Sequence, residues 1–264
     1  MLIVEKEGIR LIDFLKEHFP DFSGKKLRRI VDGRGVRIDG RLELFANVKL
    51  SKGQKVECKI EKEQKHVCLD LDVIFEDESI KVVNKKPGQV CDASLGPLVH
   101  RLDKETSGVL VLPKSDAAQR HLEKQFRTRG VEKVYDALVQ GEFPQKMHVE
   151  NNLRKKCVYD GQSIWCSAAD GVEAITDFEK ISIKDGVSYL KCFPKTGRTH
   201  QIRVHLAEAG YPILGDDHYW REEPFEKSAP RVMLHAETIT FDHPASGDRM
   251  SFSAKRPDDF LPYC

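Results

Sequence analysis

Apolar side chains recur at helical spacing near the start of the chain. Residues 11–15 and Phe19 place leucine, isoleucine and phenylalanine on one side of a helix, which Pro20 ends. A second helix is predicted over residues 24–31, because Ser23 is a favourable N-terminal cap and four basic residues follow it. The chain therefore begins with two short helices.

Alternation of apolar and polar residues then replaces the helical period. Residues 36–38 alternate as in a half-buried strand, and Asp39-Gly40 is a strong signal for a hairpin turn. The returning strands are predicted at residues 48–50 and 56–60. Two helices followed by a hairpin predict a small α/β module over residues 1–62.

Longer elements follow after about residue 70. The stretch 145–169 predicts hairpins and a basic loop at residues 154–156. The last predicted helix begins at Thr199 as its cap, turns Ile202, Leu206 and Ala209 inward, and ends at Gly210. The remaining predictions are a helix at residues 115–127, capped by Ser115, and strands at residues 73–75, 80–84, 109–112, 131–141, 174–178 and 187–192.

Composition limits the classes of protein that these elements can form. The chain has 264 residues, of which 32% are charged, and a formal net charge of +1, so any nucleic-acid surface must be local. It contains no membrane-length apolar run, no secretory signal pattern and no glycine-rich nucleotide loop. Seven scattered cysteines and ten histidines show no metal-ligand spacing. We expect a cytoplasmic monomer without membrane contact, metal or cofactor.

Positive charge is concentrated in the N-terminal module. Residues 23–62 contain twelve Lys/Arg and five Asp/Glu, a local net charge of +7, whereas residues 67–80 are acidic. A solvated surface is the plain interpretation, but positive charge on one helix and hairpin also suits RNA phosphates. The change of sign predicts a linker at residues 61–70 and a second domain over residues 70–264. The predicted RNA-binding residues of the module are Lys25, Lys26, Arg28, Arg29, Arg34 and Arg37.

Two stretches of the second domain combine acidic and basic side chains near predicted secondary structure. In residues 100–108, an acid and two basic residues precede a small-residue turn and an apolar strand, so the acid lies on a loop held by a sheet. Residues 196–206 bring four basic-capable side chains around one helical turn. A charged turn and a charged surface helix are the plain alternatives.

These stretches together resemble the RluA-type pseudouridine synthases. The resemblance rests on His100-Arg101-Leu102-Asp103-Lys104-Glu105-Thr106-Ser107-Gly108, on Lys133 to Val139, and on Thr196 to Leu206 with the following Gly210 to Asp216. It implies an α+β catalytic domain whose mixed, mainly antiparallel sheet is flanked by helices. Segments 231–236, 239–244 and 251–254 resemble its closing strands. The implied N-terminal domain is the two-helix and hairpin RNA-binding module of a small ribosomal protein.

The same resemblance assigns roles to single residues. Asp103 is the implied catalytic acid, Arg203 pairs with it, and Tyr135 lies under the target base. Arg101 fills the space that the flipped base leaves, and Arg198 and His200 are predicted to bind RNA. Lys85-Lys86-Pro87-Gly88 departs by one residue from the family's turn, and the following loop, residues 89–99, is shorter than the family's.

The residues leave the mechanism and the target open. Asp103 could attack the anomeric carbon of a uridine or remove a proton from the second ribose carbon. Large-subunit ribosomal RNA is the favoured substrate because of the N-terminal module, and transfer RNA is the second candidate. Two other classes remain: an RNA-binding assembly factor on the same fold, and an RNA-modifying enzyme that uses a methyl donor.

Overall fold

The chain has two compact units, residues 1–67 and 68–264. The computed structural model describes residues 2–20, 22, 24–32, 36–43, 45–58, 71–159, 162–219 and 229–263. The predicted linker, the Ser23 cap and Arg34 therefore lie outside the described residues. None of the helices in the described ranges is long and apolar enough to cross a membrane.

The N-terminal unit contains the two predicted helices. Its core includes Leu11 and Leu15 from the first helix and Leu27 and Val31 from the second, all fully buried. The apolar residues whose spacing predicted these helices thus form the buried side of each helix. The elements are β1 (Leu2–Ile3), β2 (Ile9–Arg10), α1 (Leu11–His18), α2 (Gly24–Asp32), β3 (Val36–Ile38), β4 (Arg41–Glu43), β5 (Lys49–Leu50) and β6 (Lys55–Cys58).

The hairpin turn is where the sequence predicted it, but the returning strand is not. Asp39 and Gly40 both have positive φ, 48° and 78°, as a two-residue hairpin turn requires. The strand that follows directly is β4, and β6 pairs with β3 on the other side in the order β1-β6-β3-β4. The prediction missed β1, β2 and β4 because two or three residues are too few to show alternation.

The second unit is built on one ten-stranded sheet. Its order is β12-β11-β13-β14-β10-β15-β9-β8-β7, with β16 beside β15. Strand β9 runs parallel to β15, and the other neighbouring strands among the described residues are antiparallel. The predicted mixed, mainly antiparallel α+β fold is confirmed. The elements are β7 (Asp72–Glu76), β8 (Ile80–Lys85), β9 (Ser107–Pro113), α3 (Asp116–Arg127), β10 (Glu132–Gln140), β11 (Lys146–Tyr159), β12 (Gln162–Ser167), β13 (Val172–Lys184), β14 (Val187–Pro194), α4 (Gln201–Glu208), β15 (Leu234–Asp242) and β16 (Arg249–Ser253).

Helices α3 and α4 begin differently. The Ser115 hydroxyl accepts the Ala118 N–H at 3.2 Å, so the predicted cap of α3 is present. The predicted Thr199 cap of α4 is wrong, because His200, with a left-handed φ of 57°, is the residue at the helix start. Residues 201–207 are all buried. The helix therefore lacks the single apolar face that its sequence suggested.

Two further predictions are corrected in the sheet. Residues 154–156 belong to strand β11 and are exposed there, although a basic loop was predicted. Segments 231–236 and 239–244 are not two strands, since β15 runs without a break from Leu234 to Asp242. Glu237 and Thr238, which lie between the two predicted segments, are partly exposed positions within the strand.

One row of paired residues crosses five neighbouring strands, β14, β10, β15, β9 and β8, and it includes the predicted site residue Tyr135. Tyr135 pairs with Cys192 on one side and Ala236 on the other, Ala236 pairs with Gly108, and Gly108 pairs with Lys85. Gly108 has a φ of 118°, and a Cβ there would lie 2.1 Å from the Ala236 carbonyl oxygen. Only glycine therefore lets β9 approach β15 this closely.

Candidate active site

A cavity of about 790 Å³ opens where the loop before β9 meets the loop between β14 and α4. The end of α3 and the start of β10 complete its wall. Among the described residues that line it, the only carboxylates are Asp103 and Glu105, so the cavity favours a polyanion. The cationic residues of the lining are Arg101, Lys104, Arg127, Arg129, Lys133, Lys195, Arg198 and Arg203.

Asp103 lies on a loop whose backbone is held from behind. Its carbonyl accepts the Thr106 N–H at 3.1 Å, which closes a tight turn. The next carbonyl, of Lys104, accepts the Gly88 N–H at 2.8 Å. The Asp103 carboxylate itself is a quarter exposed and lies at the cavity wall. A fixed backbone with an accessible acid is the arrangement that a reacting carboxylate needs.

Lys85 holds this loop from the end of β8. Its side chain is almost fully buried, and its ammonium donates to the carbonyls of Lys86, Gln89 and Lys104 at 3.1, 2.9 and 3.1 Å. Burial lowers the pKa of Lys85 to about 8. From the sequence, Lys85 was assigned only to a turn. Its position directly after the apolar run of residues 80–84 was the one sign that it could be buried at the end of a strand.

Arg203 extends from the buried helix α4, and its main partner was not predicted. Its guanidinium donates to both oxygens of Asp216, from Nε at 2.7 Å and from Nη2 at 2.8 Å. The third nitrogen, Nη1, lies 3.5 Å from Oδ2 of Asp103. Burial lowers the pKa of Arg203, but the hydrogen bonds and charge of Asp216 outweigh it, and the net shift is upward. A permanent cation thus faces one oxygen of Asp103.

Tyr135 lies in β10 near the same carboxylate. Its phenol has no hydrogen-bond partner among the residues that the structure describes, and its ring packs against both apolar clusters of the unit. Burial raises the pKa of the phenol, and the negative charge of Asp103 adds to the effect. The hydroxyl is therefore protonated at neutral pH.

His200 approaches the carboxylate from the start of α4. Its Nε2 lies 3.9 Å from Oδ1 of Asp103, and its Nδ1 lies 2.7 Å from the Tyr219 hydroxyl. The Arg203 guanidinium lies over the Tyr219 ring, 5.0 Å from its centre. Sequence analysis missed Tyr219, which follows the Gly210 to Asp216 string by three residues. Tyr135, His200 and Arg203 therefore lie around one acid, and Tyr219 lies behind His200 and Arg203.

The other predicted residues of this unit lie at the cavity as well. Arg101 and Arg198 are exposed in its lining, and the Arg198 Nε donates to the Glu173 carbonyl at 2.8 Å. Beside them, Lys133 donates to the Thr196 carbonyl at 3.0 Å, and burial together with Arg198 lowers the pKa of Lys133 to about 8. Arg101, Tyr135, Arg198, His200 and Arg203 are thus brought together with Asp103.

His100 is a structural member of the motif. Its Nε2 accepts the Val111 N–H at 2.9 Å, and its ring stacks on Phe126 with the centres 4.9 Å apart. Burial lowers the pKa of His100 to about 3, with Lys133 acting in the same direction, so the imidazole is neutral. The described residues hold no group of three or more histidine, cysteine or acidic side chains suited to a metal ion.

The predicted RNA-binding residues of the N-terminal unit belong to a separate body. Arg28 on α2 and Arg37 on β3 are exposed, and the Arg37 guanidinium donates to the Gly40 carbonyl at 3.0 Å. Lys25, Lys26 and Arg29 lie on α2. Arg34 is outside the described residues, so its predicted contact stays a prediction.

Known proteins resemble the chain over most of its length. The family described as RNA pseudouridylate synthase matches residues 79–208. An RNA pseudouridine synthase of Aquifex aeolicus, described as uncharacterized, is 32% identical, covering 97% of this chain and 93% of the relative. The ribosomal large subunit pseudouridine synthase C of Escherichia coli K12 is 30% identical, covering 100% of this chain and 94% of the relative.

A shorter relative and a solved structure agree with this match. The dual-specificity RNA pseudouridine synthase RluA of Haemophilus influenzae is 35% identical, covering 70% of this chain and 93% of the relative. The structure of human RNA pseudouridylate synthase domain containing 1 superimposes with a TM-score of 0.61 at 27% identity, covering 73% of this chain and 85% of that one. The chain therefore belongs to the RluA-type family of RNA pseudouridine synthases, isomerases that act on uridine in RNA.

Proposed function

We propose that Asp103 is the carboxylate that reacts with a uridine flipped into the cavity, and that the substrate is large-subunit ribosomal RNA. The assignment of Asp103 rests on one observation. A buried arginine, itself fixed by Asp216, faces Oδ2 of Asp103 at 3.5 Å, while no donor lies within hydrogen-bonding distance of Oδ1 among the described residues. The acid thus has a fixed cation beside one oxygen, while its other oxygen is free to react.

The reaction is an isomerisation, in which the substrate gains and loses no atoms overall. The bond between N1 of uracil and C1′ of ribose breaks, the uracil turns, and a bond from C5 to C1′ forms. C5 loses a proton, and N1 gains one. Asp103 either forms a transient ester-like bond to C1′ or takes and returns a proton at C2′; both routes regenerate the carboxylate. The guanidinium of Arg203 faces the negative carboxylate at the start and end of either route.

Tyr135 and Arg101 have distinct proposed roles. Because the pKa of the Tyr135 phenol is raised, its role as a base at C5 is less favoured than contact with the uracil through its ring and its O–H. Arg101 is exposed at the cavity, where it can occupy the space that the uridine leaves. Extrusion of the base costs a few kcal/mol, which contacts of this kind offset.

The choice of ribosomal RNA rests on length of match and on charge. The relative named for the ribosomal large subunit matches the entire chain, whereas the dual-specificity relative matches 70% of it. Residues 23–62 carry a net charge of +7, which suits the phosphates of a large folded RNA. Transfer RNA remains the second candidate. An assembly factor without chemistry would not need a carboxylate beside a buried arginine.

Cells that lack the gene are expected to lose pseudouridine at one or a few positions of large-subunit ribosomal RNA. The target base must leave its stack to reach Asp103 in the cavity, so only uridines whose surroundings allow this are expected to react. Pseudouridines would be mapped in ribosomal and transfer RNA with and without the gene. Restoration by the wild-type gene is the control. Loss confined to transfer RNA would reverse the choice of substrate.

Replacing Arg28 and Arg37 by glutamine in the full chain is expected to weaken RNA binding. Both side chains are exposed, so the fold should be little changed, and each lost phosphate contact should flatten the log–log dependence of affinity on salt by about 0.7–0.9. Affinity for the substrate RNA would be measured at several salt concentrations. Lys146→Gln, at an exposed position of strand β11, is the matched control. An unchanged slope would show that this unit does not contact RNA through these residues.

A further inference from the structure

A chain of hydrogen bonds runs from the backbone of β12 to the active site. The Trp165 N–H donates to the Tyr219 hydroxyl oxygen at 3.0 Å. The same hydroxyl lies 2.7 Å from Nδ1 of His200. The opposite nitrogen of that imidazole, Nε2, faces Oδ1 of Asp103. The Trp165 backbone in β12 is thus linked through the side chains of Tyr219 and His200 to a position beside the reacting acid.

This chain of contacts favours one position for the His200 proton. The Tyr219 oxygen accepts from the Trp165 N–H, and Nδ1 of His200 is the acceptor that the described residues offer to its single hydrogen. A neutral imidazole that accepts at Nδ1 carries its hydrogen at Nε2. Burial lowers the pKa of His200 and outweighs the opposing effect of Asp103, which agrees with a neutral ring. His200 therefore presents an N–H to the cavity.

The N–H is close to the acid but does not bond to it. The distance from Nε2 to Oδ1 is 3.9 Å, which is too long for a hydrogen bond and leaves the donor unused. The imidazole cannot easily close this gap, because its other nitrogen is bonded to Tyr219 and its backbone has the left-handed φ of 57°. The ring is held where a ligand atom can lie between it and the carboxylate.

The chemistry of the sugar identifies that atom. Asp103 must approach C1′ or C2′ to about 3–3.5 Å in either proposed route. Two oxygens are bonded to these carbons, the ring oxygen and the 2′-hydroxyl. A donor to the ring oxygen would oppose the positive charge that develops when the glycosidic bond breaks. The 2′-hydroxyl carries no such penalty and is a good acceptor.

We propose that His200 donates its Nε2–H to the 2′-hydroxyl of the target nucleotide, and that Tyr219 is the positioning residue that sets this tautomer. The proposal rests on the assignment of Asp103 as the reacting acid. It gives the active site a contact that RNA has and DNA lacks, at the nucleotide where the chemistry occurs.

The test compares two RNAs that differ only at the target ribose, one with the 2′-hydroxyl and one with hydrogen. His200→Asn keeps the left-handed backbone accessible, since asparagine tolerates it. On the hydroxyl RNA the substitution should slow the single-turnover rate about tenfold, the scale of one lost hydrogen bond. On the deoxy RNA it should change the rate by less than about twofold, because the partner is already missing. The control, His148→Asn, should match the wild type on both RNAs.

The outcomes are distinguishable. Equal slowing by His200→Asn on both RNAs would overturn the contact with the 2′-hydroxyl. If the wild type does not turn over the deoxy RNA, affinities are compared instead of rates. His200→Asn should then weaken binding of the hydroxyl RNA and not of the deoxy RNA, and equal weakening of both would overturn the contact. Activity of Asp103→Asn on the hydroxyl RNA would instead remove the assignment of the acid.

The tautomer has a readout of its own. Nitrogen-15 spectra of the histidines should show hydrogen on Nε2 of His200 in the wild type. Tyr219→Phe should move the population toward hydrogen on Nδ1 and lower the rate on the hydroxyl RNA more than on the deoxy RNA. Hydrogen on Nδ1 in the wild type would overturn the proposal.

Discussion

Replacing Asp103 by asparagine is expected to lower pseudouridine formation by at least about 10³-fold, the scale on which nucleophiles and general bases contribute. The amide keeps the size and shape of the side chain. It loses the negative charge, so it can neither attack C1′ nor take a proton from C2′. Release of tritium from C5 of labelled uridine in the substrate RNA measures the rate.

The same substitution should leave the fold nearly unchanged. The Asp103 side chain is a quarter exposed, and its contact with Arg203 is long, at 3.5 Å. We expect an unfolding free energy within about 1 kcal/mol of wild type, as for other partly exposed positions. Glu105→Gln, at the other carboxylate of the cavity, is the matched control and should stay within about tenfold of the wild-type rate. Asp103→Asn activity within tenfold of wild type would exclude the proposed role.

Replacing Arg203 by methionine is expected to cost both activity and stability. Methionine keeps much of the volume, but the Asp216 carboxylate, only 1% exposed, is left without its cation. Breaking a buried ion pair on one side typically costs about 3–5 kcal/mol. Asp103 loses its nearby positive charge at the same time, so the rate should fall by at least about 10²-fold, the scale of one lost electrostatic contact.

A double substitution separates these two losses. In Arg203→Met with Asp216→Leu, no buried charge remains unpaired, and stability should return to within about 2 kcal/mol of wild type. Activity should stay as low as in Arg203→Met alone. Urea unfolding and single-turnover rates would be measured on all three variants. Recovery of activity together with stability would mean that Arg203 has a structural role only.

The sheet was predictable where its strands are long and apolar. Strand β9 is buried at every position and α3 carries both a cap and an apolar stripe, so local sequence signals located both. Prediction was wrong where tertiary burial overrides local pattern. Helix α4 is enclosed on all sides, and its polar residues Arg203 and His205 are buried rather than exposed. No rule on amphipathic spacing describes such a helix.

The site was predictable as a set of motifs but not as a set of contacts. Asp103, Tyr135 and Arg203 were found because each lies in a recognisable string. Asp216 and Tyr219 were not assigned, because their roles arise from folding after α4, which brings them onto Arg203. Lys85 was assigned to a turn because a sequence does not reveal that three carbonyls converge on one ammonium.

The parallel pairing of β9 with β15 sets an order of events while the protein is synthesised. Ser107 leaves the ribosome 128 residues before His235, the residue beside which it comes to lie. Until then Gly108 has no neighbouring backbone on that side of its strand. Arg231, whose guanidinium reaches the Glu105 carbonyl at 3.4 Å, is also still missing. Pairings this distant in sequence form late in folding. The nascent chain therefore emerges with its acid, but the enclosed site forms only after the closing strands have been translated.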